Sequence, residues 1–150
     1  MNHLAQDYRP RAGIGDRRYL LVAAVPFFRA ADGGIWLDSL WWRDLSAHLD
    51  YIENLTVLAP CESYEGQPDL VRFAAPEERR LDFAALPSPV SFGRALASLP
   101  RSAAIAFRAV RRSDIVHSGV AGWPIPPGLL VNPIAAILRR PLIVVVESAF

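Results

Sequence analysis

The residues of this chain best suited to chemistry are Asp32-Gly33-Gly34, His117, Trp123 and the pair Glu147-Ser148. Glycine has no Cβ, so Gly33 and Gly34 permit positive φ and a close approach by a ligand. A helix beginning at Ile35 would add free N–H groups and a positive dipole end, a seat for phosphate. The same residues also make an ordinary βα turn with Asp32 near the cap. His117 closes the stretch DIVHS and can exchange a proton, bind a sugar hydroxyl or phosphate, or serve as a hydrogen-bonded structural residue. Glu147 and Ser148 follow the last apolar run, where a carboxylate can hold sugar hydroxyls or cap a helix. Trp123 stands in GVAGWPIPPG, a loop stiffened by prolines, and either stacks on a sugar or lipid or plugs the core. His3 and His48 are weaker candidates. No Walker loop, dinucleotide fingerprint, serine elbow or metal-ligand spacing occurs; Gly13-Ile14-Gly15 precedes the first strand and lacks the third glycine.

These residues need elements to position them. Tyr19 to Val25 is a continuous apolar run, as in a strand buried on both faces. A helix is expected from Ile35 to Leu49, with Leu37, Leu40, Trp41, Leu45 and Leu49 as its apolar stripe. Leu55 to Ala59 forms a second strand closed by Pro60, and CESYEGQPD is a loop. Leu70 to Ala74 and Arg80 to Ala85 are short strands. Ser91 to Arg112 reads as helix interrupted at Pro100, with Ala95, Leu96 and Leu99 buried before the break and Ile105, Phe107 and Val110 after it. Asp114 to Ser118 is a strand, Leu129 to Leu138 a helix, and Leu142 to Val146 a final apolar strand. Alternating strands and helices imply an α/β, doubly wound parallel sheet of Rossmann-like type. Ligands in such sheets bind beyond the carboxyl ends of the strands.

Composition bounds the rest. The 150 residues are 52% apolar and 21% charged, with a net charge of +1, which suits one domain with a sizeable core and gives no overall field for nucleic acid. All sixteen basic residues are arginine, and along the chain they look scattered. Cys61 is the lone cysteine, so no internal disulfide framework exists. Arg17-Arg18 before YLLVAAVPFF mimics a secretory signal, but Pro26 and Arg29 occupy the cleavage region. No run approaches the roughly eighteen apolar residues of a spanning helix. The expectation is a soluble, cytoplasmic protein: a flexible arm over residues 1–18 and one domain over 19–150. The final strand has no covering helix behind it, as in the front half of something longer.

In order and spacing, YLLVAAV, the Asp32-Gly33-Gly34 loop, LTVLAP, DIVHSG and RRPLIVVVES resemble the N-terminal domain of family 4 glycosyltransferases, the retaining enzymes of GT-B architecture. The resemblance covers residues 19–150. It implies the acceptor-side half of an enzyme that moves a hexose from a nucleotide sugar to a saccharide or lipid-linked acceptor, with no metal or other cofactor. Gly33 and Gly34 would then reach the donor diphosphate, and His117 would be catalytic. Asp32, Trp123, Glu147 and Ser148 would meet the acceptor, with peripheral membrane contact and no nucleic acid partner. The family often has a histidine after its fifth strand, where this chain reads Val146-Glu147-Ser148. On this resemblance the donor-binding domain is expected to be missing and the fragment alone to be inactive. A stand-alone α/β binding module and another GT-B enzyme, such as a sugar-nucleotide epimerase, are the alternatives.

Overall fold

A computed structural model describes residues 16–73, 80–88, 90–120, 122 and 124–146. Trp123, Glu147, Ser148, His3 and all but the last three residues of the expected N-terminal arm lie outside the described residues.

The described chain runs β1 (Arg18–Val22), β2 (Phe27–Arg29), β3 (Ile35–Asp38), α1 (Ser39–Leu49), β4 (Asn54–Ser63), β5 (Leu70–Arg72), β6 (Arg80–Leu86), α2 (Phe92–Arg112), β7 (Ile115–Gly119), α3 (Pro127–Ile137) and β8 (Leu142–Val145). The eight strands form one mixed sheet. Five of them, in the order β6-β4-β1-β7-β8, are parallel. Taken in chain order, those five stand third, second, first, fourth, fifth, so the chain reverses direction across the sheet at β1.

The wholly parallel sheet expected from the sequence is thus corrected to a mixed one. β2 runs parallel to the far end of β4, β3 pairs antiparallel with β2, and β5 pairs antiparallel with β3. β4 makes this possible by not stopping at Pro60. Its pairing with β1 ends at Leu58 and its pairing with β2 begins at Cys61. On that edge no ladder partner stands opposite Pro60, so its missing N–H costs nothing there.

Each sheet face buries its own core. Leu20, Val22, Leu58 and Val116 pack under α2 and α3. Tyr19, Leu55, Val57 and Ala59, one residue out of phase, pack with Leu45 and Leu49 of α1 and with Phe27 and Leu37 of the added strands. The alternation of neighbours between the two clusters is the period of two of a strand covered on both faces.

Two helices depart from expectation. α1 starts at Ser39, not Ile35: Asp38 is its N-cap, and the carboxylate accepts from the Leu40 and Trp41 amides at 2.9 and 3.3 Å. The residues before it are a strand because Leu37 fills the core from a ladder with partners on both sides. α2 runs unbroken through Pro100. Its buried stripe, Ala95, Ser102, Ala106 and Ala109, stays in phase on both sides of the proline, which lies exposed on the outer surface. Packing of that stripe overrides a local cost of about 3 kcal/mol. Small residues seat α2 on the sheet, so Leu96 and Phe107 are left outside.

Candidate functional site

The carboxyl ends of the parallel strands open onto Ala23 to Pro26 after β1, Pro87 and Ser88 after β6, and Val120 after β7. α2 begins near this edge, with Ser91 Oγ accepting from the Arg94 amide at 3.4 Å. α3 begins here too, with Pro126 as N-cap and no side-chain cap. Gly128 in its first turn lies so close to Gly119 that a Cβ would overlap the Gly119 carbonyl oxygen. A cavity between these segments, bounded by Ala24, Pro60, Leu86, Leu99 and Gly122, holds about 50 Å³. That is room for water, not for a sugar ring.

The added strands stand beyond this edge as a wall. Phe27 and Leu37 point into the α1 core, so their neighbours Phe28 and Trp36 belong to the opposite face. The register sets Glu62, Phe28, Trp36 and Arg72 side by side across four strands. Tyr64 stacks on Trp36 with ring centroids 4.2 Å apart and planes 4° from parallel. Glu62 accepts from Ser88 Oγ at 2.6 Å, which ties the wall to the end of β6. Arg72 Nη2 donates to Asp32 Oδ2 at 3.1 Å. Aromatic rings, two carboxylates and a guanidinium therefore share one face. Such a face suits a pyranose, which offers an apolar C–H surface and a rim of hydroxyls.

Of the expected site residues, those described do not meet at one point. Gly33 and Gly34 form the turn between β2 and β3, and Gly33 holds φ of +82° there. Ala30 N–H donates to Gly34 O and Gly33 N–H to Ala30 O, at 2.9 and 3.0 Å. Gly34 N–H donates to Asp32 Oδ1 at 2.8 Å. The phosphate seat expected from Asp32-Gly33-Gly34 is therefore corrected to a hairpin tip. No helix starts at Ile35, both glycine amides have partners within the turn, and one partner is a carboxylate that would repel an anion. Asp32 alone among these reaches the wall, through Arg72.

His117 lies apart from this turn. It stands inside β7 with Ser118 and Gly119 beyond it, on the α1 face and opposite to the wall. Its Nδ1 and the Tyr19 hydroxyl are 3.1 Å apart, so a hydrogen bond joins β1 to β7 through side chains. The His48 ring lies 6.1 Å away. Burial, and then His48, hold the His117 pKa below its ordinary 6.5, so the ring is neutral at pH 7. Burial, and then Tyr51, raise the Tyr19 pKa. This is the environment of a bridge between strands.

Sequence reasoning missed Trp36, Tyr64, Glu62, Arg72 and Ser88. The available signal was the alternation Ile35-Trp36-Leu37-Asp38, a strand pattern that the helix-like leucine spacing masked. Among the described residues no three His, Cys, Asp or Glu side chains gather as a metal cage. No described helix is long and apolar enough to cross a membrane. No family model, curated protein or solved structure matches the chain.

Proposed function

We propose that the chain is the acceptor-side domain of a retaining, GT-B-type glycosyltransferase resembling family 4, and that the wall of Phe28, Trp36 and Tyr64 holds the saccharide of its acceptor. The wall is the observation that carries the reading. It sits beyond the carboxyl edge of the parallel strands, where doubly wound sheets bind ligands. The order of those strands, with the reversal at β1 and helices on both faces, supports a Rossmann-like assignment. In this reading Glu62 and Arg72 orient sugar hydroxyls, the ring faces take the C–H surface, and Asp32 steadies Arg72. His117 is a structural bridge, and the nucleotide-sugar donor is a substrate whose diphosphate is held elsewhere than at Gly33 and Gly34.

Titration of the chain with a panel of hexose di- and trisaccharides, followed by the indole NMR signals, tests this. Selective perturbation of the Trp36 indole, with binding weakened at least about tenfold in Trp36→Ala, supports the reading; the scale is that of one stacked aromatic contact. If no saccharide binds, or if Trp36→Ala binds as the parent does, the reading fails.

A second reading, an α/β module that docks a partner protein, is favoured by β8. Its Ile143, Val144 and Val145 are exposed although they form an apolar strand.

A further inference from the structure

Of the sixteen arginines scattered along the sequence, five lie on one helix. α2 carries Arg94, Arg101, Arg108, Arg111 and Arg112 and no acidic residue. The chain carries +1 overall and α2 carries +5, so everything outside α2 sums to −4. Arg94, Arg101 and Arg108 are seven residues apart and Arg112 follows four later, which places all four within about 40° of arc on an α-helix. They form a ridge about 27 Å long.

A second line lies on the other shoulder of the helix. Phe92, Leu96 and Phe107 fall within about 60° of one another, and they are 58%, 55% and 43% exposed. Between the shoulders the outward surface is Gly93, Ala97, Pro100 and Ala104, all exposed and none bearing a polar side chain, until Arg111 joins the same line in the last turn. A solvated helix face ordinarily mixes both signs of charge with polar groups. This one has cations on one flank, large apolar side chains on the other, and between them a strip of small residues that ends at Arg111. Arg108 and Arg112 also border a groove of about 1020 Å³ beside the amino ends of β4 and β6, which Arg18, Arg80, Asp16 and Asp82 line as well.

We infer that α2 docks the protein, in plane, on an anionic lipid bilayer. The arginine ridge matches the phosphates of acidic headgroups, and Phe92, Leu96 and Phe107 enter the boundary with the acyl chains. A nucleic acid would satisfy the arginines but would leave the apolar shoulder in water. It would also meet the net negative remainder of the molecule, which a flat membrane under α2 avoids. The inference does not depend on the saccharide reading, because the ridge and the wall are separate surfaces.

The test is co-sedimentation with vesicles of phosphatidylcholine alone and of phosphatidylcholine with roughly one-third phosphatidylglycerol. Binding to the anionic vesicles at least about tenfold tighter than to the neutral ones is expected. Arg94→Gln with Arg101→Gln should weaken it by about thirtyfold, the effect of two basic residues at a charged surface. Phe92→Ser with Phe107→Ser should also weaken it, at unchanged charge. All four positions are exposed, and circular dichroism of each variant confirms that the fold is intact. Absence of binding, equal binding to both vesicle types, or full binding by the serine variant overturns the inference. Tighter binding of a short single-stranded RNA than of anionic vesicles overturns it in favour of nucleic acid.

Discussion

The parallel and antiparallel parts of the sheet hold together by different means. In the parallel part, β1, β4 and β7 are covered on both faces, and helices press close enough that Gly128 of α3 touches the backbone of β7. In the antiparallel part, β2, β3 and β5 have one face on the α1 core, while the other carries Trp36, Tyr64, Glu62 and Arg72. The first has little room for change. The second keeps its outer face by hydrogen bonds, an ion pair and a ring stack, each of modest energy, and that face is the one available for recognition.

Substitution should expose the contrast most sharply at Gly128. Gly128→Ala places a methyl group against the Gly119 carbonyl, and α3 must move off the sheet. The expected loss is about 3 kcal/mol, read from urea unfolding. A loss under about 1 kcal/mol would mean that the helix seat is looser than described. At the wall's tip the penalty is conformational only. Gly33→Val has open space for its side chain but must hold positive φ, which costs about 1–2 kcal/mol. Its saccharide affinity should equal that of the parent, whereas a diphosphate cradle at this turn would require affinity for nucleotide sugars to collapse. Asp38→Ala removes the α1 cap that ends the wall's middle strand, for about 1 kcal/mol in the same unfolding assay.

Smaller effects follow pH, in two windows. His117 titrates below 6.5 in the fold, so the folded state resists a proton that the unfolded chain accepts. Stability should therefore fall as pH drops through about 6.5, and thermal unfolding of His117→Gln should lose that slope. Asp114 is the opposite kind of group. Its carboxylate accepts from the Arg18 amide and guanidinium, and its pKa is lowered to about 2 from 3.8. It contributes stability above 3.8 that is lost as pH falls towards 2. Because the pair is largely exposed, Asp114→Asn should cost no more than about 1 kcal/mol at neutral pH.

The same division governs what could be read from the residues. Tyr19 to Val22 and Leu55 to Ala59 announce themselves because a strand buried on both faces needs mostly apolar side chains, and Leu142 to Val145 reads the same way although Ile143, Val144 and Val145 are exposed. The added strands announce little. Phe27 to Arg29 and Leu70 to Arg72 are three residues each, too short for a period, and Ile35 to Asp38 runs straight into α1. Leu37, which belongs to the strand, has helical spacing with Leu40 and Trp41, so the helix reads four residues too long. Leu40 is then 61% exposed, a position the periodic reading assigns to the core. The wall depends on which residues stand opposite Trp36. That register is fixed by contacts distant in the sequence, such as Trp36 with Arg72.

β4 has ten residues, a span of about 33 Å. Its first half is the middle of the floor, and its last three residues are the root of the wall. Floor and wall thus share one unjointed beam. The angle between them cannot change without stripping β2 from the beam or bending the beam at Pro60. A ligand resting in their corner meets a bracket of set shape, and its own flexibility must supply the fit.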